Sequence, residues 1–284
     1  MNESTQHLTA QAQPETPAST QRSWLKTTAM VSGLAVAMLA TNALAAWPRN
    51  PVAALAIGPL LALAMISLYI WAVGRVEHRK AVELGAAKRW RHILAGTGLG
   101  LLMSGATVGI LALCGAYAIT GWGSVSGMLA VAGMMCAIAV SEEVFFRGVV
   151  FRLLRGRWGT TVVLGISAVL FGLVHLVNPD ASLWGAFAIM IEAGIMLGAA
   201  YLATGSLWLA IGVHFGWNFA ITGLFGSVTS GSEARESLVT ATSSGPDWLS
   251  GGSFGPEASI VAILVCSAAI VVFLVVARNR AKAN

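Results

Sequence analysis

Eight apolar stretches, each long enough to cross a lipid bilayer, leave this chain little choice of architecture. They run at about Thr27–Ala46, Val52–Gly74, Ile93–Ile119, Met128–Leu153, Thr160–Leu176, Leu183–Ala203, Leu207–Phe225 and Ala258–Ala277. Roughly 20 helical residues cover a hydrocarbon core about 30 Å thick. In lipid every backbone polar group needs an internal partner, which helices and closed barrels alone provide. The expected fold is all-α, a polytopic membrane bundle of about eight transmembrane helices. Composition agrees, since 10% of the residues are charged against about 25% in soluble domains.

The few charges fall between the apolar runs, and they fall unevenly. Arg147 apart, fourteen Lys and Arg residues occupy one set of connections: the N-terminal flank, residues 75–92, the end of the fourth span and the C-terminus. The opposite set holds Arg49 and Arg235 alone. Cytoplasmic connections carry the basic excess, so both termini are expected in the cytoplasm. The net charge of +5 then reflects topology, and with no basic recognition motif it excludes nucleic acid as a partner. The expected partner is the lipid bilayer, and the Ala- and Gly-rich composition points to a bacterial plasma membrane.

Residues 1–21 are rich in Gln, Thr, Ser and Pro, too polar to bury a core. They read as a disordered cytoplasmic tail, with His7 solvated, ahead of a transmembrane domain at 22–284. Ala43, Leu44 and Ala45 resemble a signal-peptidase site, but the long polar leader favours an uncleaved first helix. His78 and His92 read as loop or interface residues. Cys114, Cys136 and Cys266 lie in expected spans without ligand-like spacing, and read as small apolar residues. Residues 121–127 read as an uncharged turn, and 226–257 as a Ser/Gly/Thr-rich loop.

Inside the fourth span stand Glu142, Glu143 and Arg147. Ionisable groups at membrane depth cost about 2.5–3.5 kcal/mol each on insertion scales, so they need partners and mark function. Glu143 and Arg147 share a helical face and can pair. Glu142 points about 100° away and needs a partner from another helix. Two later pairs at i, i+4 spacing could supply it: Phe171 with His175 in the fifth span, and His214 with Asn218 in the seventh. Read singly, each has a plainer meaning: a self-neutralising ion pair, an interhelical hydrogen bond, or core packing for Phe171. By counting along the helices, His175 lies near the outer end of its span, whereas Glu142 and His214 lie near mid-depth.

These three motifs, EExxxR, FxxxH and HxxxN on successive apolar segments, resemble the CAAX prenyl protease and bacteriocin-processing family of intramembrane proteases. The resemblance covers roughly residues 125–225. It implies an endopeptidase in which Glu142 activates a water, Glu143 and Arg147 position the substrate, and His175 and His214 complete the site. Asn218 would donate to the oxyanion. A carboxylate among apolar walls suits a general base. Glu142, His175 and His214 would also make a three-ligand zinc set with an open fourth position. The cofactor is thus none or a divalent metal, and the absence of HExxH favours the metal-free form. The substrate class is a peptide or membrane protein. Other classes remain: an ion-coupled transporter using the same groups as a relay, or an inactive scaffold or immunity factor.

Glu192 stands apart from these motifs, midway along the sixth span. It is expected to face the bundle interior toward the Glu142 and His214 cavity, either sharing Arg147 or neutral and donating to a backbone carbonyl.

Overall fold

A computed structural model describes residues 17–48 and 50–283, and the side chains from Trp24 onward. Most of the 1–21 tail with His7, and the side chains of Arg22 and Arg49, lie outside the described residues. Eight helices there are long and apolar enough to cross a membrane. They are α1 (Pro17–Ala46), α2 (Pro51–Val76), α3 (Arg89–Leu113), α4 (Val125–Arg155), α5 (Thr160–Val177), α6 (Leu183–Thr204), α7 (Leu207–Leu224) and α8 (Ile260–Ala283).

Local chemistry sets the helix starts. Asn50 caps α2, its side chain accepting from the Ala53 amide, with Pro51 at the first helical position. Ser124, Ser182 and Ser206 cap α4, α6 and α7 in the same way. Each supplies an oxygen to an N–H that the helix itself cannot satisfy. Between α6 and α7 the chain reverses through Gly205 at φ +67°, a left-handed conformation that glycine adopts without steric cost.

Burial separates an inner group from an outer one. In α4, α6 and α7, 61–78% of the most apolar window is buried, against 28–33% in the other five helices. The inner three carry five of the six candidate site residues, and α5 supplies His175. Helix α7 is held by close backbone contact with α3. Gly96 and Gly100 face Gly212 and Gly216 across this seam. A Cβ at Gly96 would sit 2.5 Å from the Leu209 carbonyl oxygen, and one at Gly212 would sit 2.6 Å from that of Ile93. Small residues four apart let membrane helices approach this closely, and His214 lies between the two α7 glycines.

On the basic face, the link between α2 and α3 clamps the end of α4. Arg79 pairs with Glu77 at 2.8 Å and Glu83 at 2.9 Å, and Arg152 of α4 pairs with Glu77 at 2.5 Å. The Tyr69 hydroxyl lies between the Glu83 carboxylate and the Gly148 carbonyl oxygen.

Three expectations are corrected. Helix α1 begins at Pro17, inside the segment read as tail. The third span ends at Leu113, because Gly115 adopts φ +74°. Tyr117–Trp122 then forms a strand, β1, that pairs antiparallel with β2 (Val239–Ser243). The residues read as the end of a span, a turn and a loop therefore build a two-stranded ribbon beyond the bundle. Its backbone bonds come from a segment over 100 residues away, which hydropathy cannot report.

Candidate active site

Glu142 and Glu143 are the last α-helical residues before α4 widens into a π turn over Val144–Phe151. Similar π segments occur in α6 at Met190–Ile195 and in α7 at Phe219–Leu224, directly after Asn218. Such turns are rare and recur at functional sites. Here each of the three inner helices has one beside a buried polar residue.

The two glutamates occupy different surroundings. Glu143 is fully buried and its Oε1 accepts from Arg147 Nη1 at 2.6 Å. Arg147 is equally buried, and its Nη2 donates to the carbonyl oxygens of Ala193 (2.6 Å) and Gly194 (3.0 Å) in the π turn of α6. Its guanidinium lies 4.8 Å from the centre of the Phe171 ring. His214 Nδ1 is 3.0 Å from Glu143 Oε1. A carboxylate accepts, so Nδ1 carries the proton, and Nε2 is the nitrogen toward Glu142, 3.8 Å from its Oε2.

Glu142 has one oxygen held and one free of the protein. Its Oε1 accepts from Asn42 Nδ2 of α1 at 2.8 Å. Oε2 is buried without a hydrogen bond among the described residues. The side chain lines a cavity of about 820 Å³ together with His175 and Asn218. Met38 and Leu39 of α1, Met134, Met135 and Ile138 of α4 and Val174 of α5 form apolar wall. The mouth is polar, with Asn178, Thr229, Ser230, Ser232, Glu233 and Arg235.

His175 sits in the turn that ends α5, half-buried, with Nδ1 2.7 Å from the Phe171 carbonyl oxygen. The carbonyl fixes the proton on Nδ1 and leaves Nε2 as the acceptor of the neutral ring. His175 lines the same cavity as Glu142, with no hydrogen bond to Glu142 or His214. Phe171 connects the two histidines, its ring 4.8 Å from that of His175 and 6.1 Å from that of His214.

The six expected site residues therefore divide. Glu142, Glu143, Arg147 and His214 form one contact chain. His175 and Asn218 reach the same cavity as Glu142. Glu143 and Arg147 do not line that cavity, so their contacts are with each other, His214 and α6. Among the described residues no three His, Cys, Asp or Glu side chains gather as a metal-ligating group. Glu142, His175 and His214, the set considered for zinc, are not gathered as such a group.

Glu192 is buried and faces the interior, beside His214, Trp217, Asn218 and Glu257 around a small cavity of about 10 Å³. It lies behind His214 and does not line the larger cavity. Arg147 serves the carbonyls of Ala193 and Gly194 in its place, and neither Glu192 oxygen has a hydrogen bond among the described residues.

Two residues of the site escaped the sequence reading. Asn42 was passed over inside an apolar span, although an amide at membrane depth was itself a signal. Glu257 was read as a loop residue. It is buried and accepts from Trp217 Nε1 (2.8 Å), Ser230 N (2.5 Å) and Ser230 Oγ (2.9 Å). It thereby ties the cavity mouth to α7 beside Asn218.

Fold and site together define a polytopic membrane protein with its polar machinery sunk in the bundle. Residues 122–220 match the family model described as type II CAAX prenyl endopeptidase Rce1-like. That segment carries all six expected site residues, and its likeness is to CAAX-type endopeptidases. No curated protein and no solved structure matches it.

Proposed function

We propose that this chain hydrolyses a peptide bond inside the membrane with a water activated by Glu142. The observation that carries the reading is Oε2 of Glu142, buried, without a hydrogen bond among the described residues and 3.8 Å from His214 Nε2, on a side chain that lines a cavity large enough for a peptide. A separation of 3.8 Å between two polar atoms suits a bridging water lying off their line. Glu142 takes the water's proton as the hydroxide oxygen attacks the scissile carbonyl carbon. Asn218, on the same cavity wall, donates to the resulting oxyanion, the usual task of a preorganised amide. The C–N bond then breaks, and Glu142 returns the proton to the leaving amine.

Glu143 and Arg147 act at one remove in this scheme. Arg147 anchors Glu143, and Glu143 holds His214 in the tautomer that turns Nε2 toward Glu142. His175 offers a second acceptor nearer the mouth, where it would meet the peptide backbone. The apolar wall suits a lipid-modified or membrane-anchored peptide, and the family description makes a prenylated CAAX peptide the first class to test. The chemistry runs through these side chains without a metal.

The test is turnover of an internally quenched farnesylated CAAX peptide by the full chain in proteoliposomes. Glu142→Gln keeps shape and removes the base, so kcat should fall about 10²-fold or more. Wild-type turnover should survive EDTA and 1,10-phenanthroline. Undiminished cleavage by Glu142→Gln would overturn the role of Glu142, and a zinc-restorable loss on chelation would move the mechanism to a metal.

A further inference from the structure

We infer that Asn42, on the first span and outside the family-matched segment, is a positioning residue that fixes the Glu142 carboxylate for reaction. The inference deepens the endopeptidase reading and rests on it.

Asn42 makes two bonds to consecutive residues of α4. Its Nδ2 donates to Glu142 Oε1 at 2.8 Å, and its Oδ1 accepts from Ser141 Oγ at 2.7 Å. The two bonds are separable, because a carboxylate only accepts and takes the amide N–H whatever Ser141 offers. The Ser141 hydroxyl also reaches the Ile138 carbonyl oxygen at 3.0 Å, but it can supply a proton to only one acceptor at a time. A flipped amide would set Oδ1 against a carboxylate oxygen, two acceptors face to face. The orientation that satisfies the cluster therefore aims the amide N–H at Oε1.

The consequence falls on the other oxygen. A free carboxylate can turn about its last torsion and exchange its two oxygens. With Oε1 held by a charge-assisted bond, Oε2 is left turned to His214, 3.8 Å from its Nε2. Asn42 lines the same cavity, but its bond to Glu142 is to Oε1 and not to Oε2, so it acts through the Glu142 carboxylate. It sits near the end of α1 among residues that line the same cavity, Met38, Leu39, Ala43 and Ala46. The first span is thus part of the site, although the family match begins only at residue 122.

The competing role is adhesion, in which Asn42 merely ties α1 to α4. Three variants separate the two. Asn42→Leu removes both bonds at similar size. Asn42→Asp keeps the acceptor for Ser141 and replaces the amide donor by a second carboxyl, which repels Glu142 or shares one proton with it, and it covers the case in which Asn42→Leu fails to fold. Ser141→Ala loses the adhesive bond alone, since the Ser141 hydroxyl bonds Asn42 and the Ile138 carbonyl rather than Glu142, and Ser141 does not line the cavity.

Two measurements are made on each in proteoliposomes. With the farnesylated quenched peptide, Asn42→Leu and Asn42→Asp should lower kcat about 10-fold or more, with KM within about twofold, while Ser141→Ala stays near wild type. Independently of any substrate, dicyclohexylcarbodiimide labelling of Glu142 is followed by peptide mass mapping, with Glu192 as internal standard. A carboxylate held by a donor resists this reagent, so labelling at Glu142 should rise about tenfold in Asn42→Leu and stay level in Ser141→Ala. Equal labelling in the two variants, or equal kcat for Asn42→Asp and Ser141→Ala, would reduce Asn42 to adhesion and overturn the inference. A wild type that leaves the peptide intact would overturn the endopeptidase reading for that substrate, while the labelling would still decide what Asn42 does to Glu142.

Discussion

Adjacent glutamates in α4 carry opposite burdens, and the difference is one of satisfaction rather than depth. Glu143 shares Oε1 between Arg147 and His214, so its charge is neutralised inside the protein. Glu142 lines the cavity and keeps one oxygen without a hydrogen bond among the described residues. Removing one partner of a buried ion pair strands the other charge and costs about 3–5 kcal/mol. Arg147→Met should therefore lower thermal stability in detergent clearly, by about that amount, as well as abolish turnover. Glu142→Gln should abolish turnover and leave the melting temperature near wild type. A thermal melt of the two variants side by side checks this, and equal melting temperatures would mean that the buried pair contributes little to the fold.

The helices themselves were legible, and their irregularities were not. Runs of some 20 apolar residues fix eight spans because the bilayer admits nothing else, and the EExxxR and FxxxH spacings survive as contacts because i, i+4 neighbours share a face. The π turns left no such trace: nothing in Val144–Phe151 distinguishes a widened turn from a regular one, yet it begins right after Glu143. The α3–α7 seam was written in Gly96, Gly100, Gly212 and Gly216 and could have been found by looking for small residues four apart. The clamp on the basic face was hidden in an ordinary-looking basic loop. There burial alone would push the Glu83 carboxyl up, but hydrogen bonds from Arg79 and Tyr69 outweigh it and hold the group below its usual value. A carboxyl held low stabilises the fold above its unfolded pKa, and that stabilisation is lost as pH falls through the folded value. Glu83→Gln should thus be less stable than wild type at pH 7, by about 1–3 kcal/mol for the bonds lost. The gap should begin to narrow as pH falls through the usual carboxylate range and close only where Glu83 in the folded protein is itself protonated. Thermal melts across pH 3–7 read this directly, and a gap that stays constant would mean the clamp is not ionic.

At the scale of the whole molecule, charge and cavity point to opposite faces. The fourteen Lys and Arg of the basic set lie at the end where α1 and α8 terminate the chain and where Glu83, Arg79 and Arg152 form their clamp. The cavity opens at the other end. Trp47 follows α1 there, Asn178 and Pro179 join α5 to α6, and Thr229, Ser232 and Arg235 belong to the segment after α7. Basic connections stay in the cytoplasm, so the mouth should face away from it, and a substrate should present its scissile bond from the extracytoplasmic side. Cysteines placed at Ser232 and at Val82, in a background freed of the exposed Cys114, test the orientation. A membrane-impermeant maleimide added to intact cells should label Ser232→Cys and spare Val82→Cys until the cells are opened. Labelling in the reverse order would invert the molecule and bring its substrates from the cytoplasm.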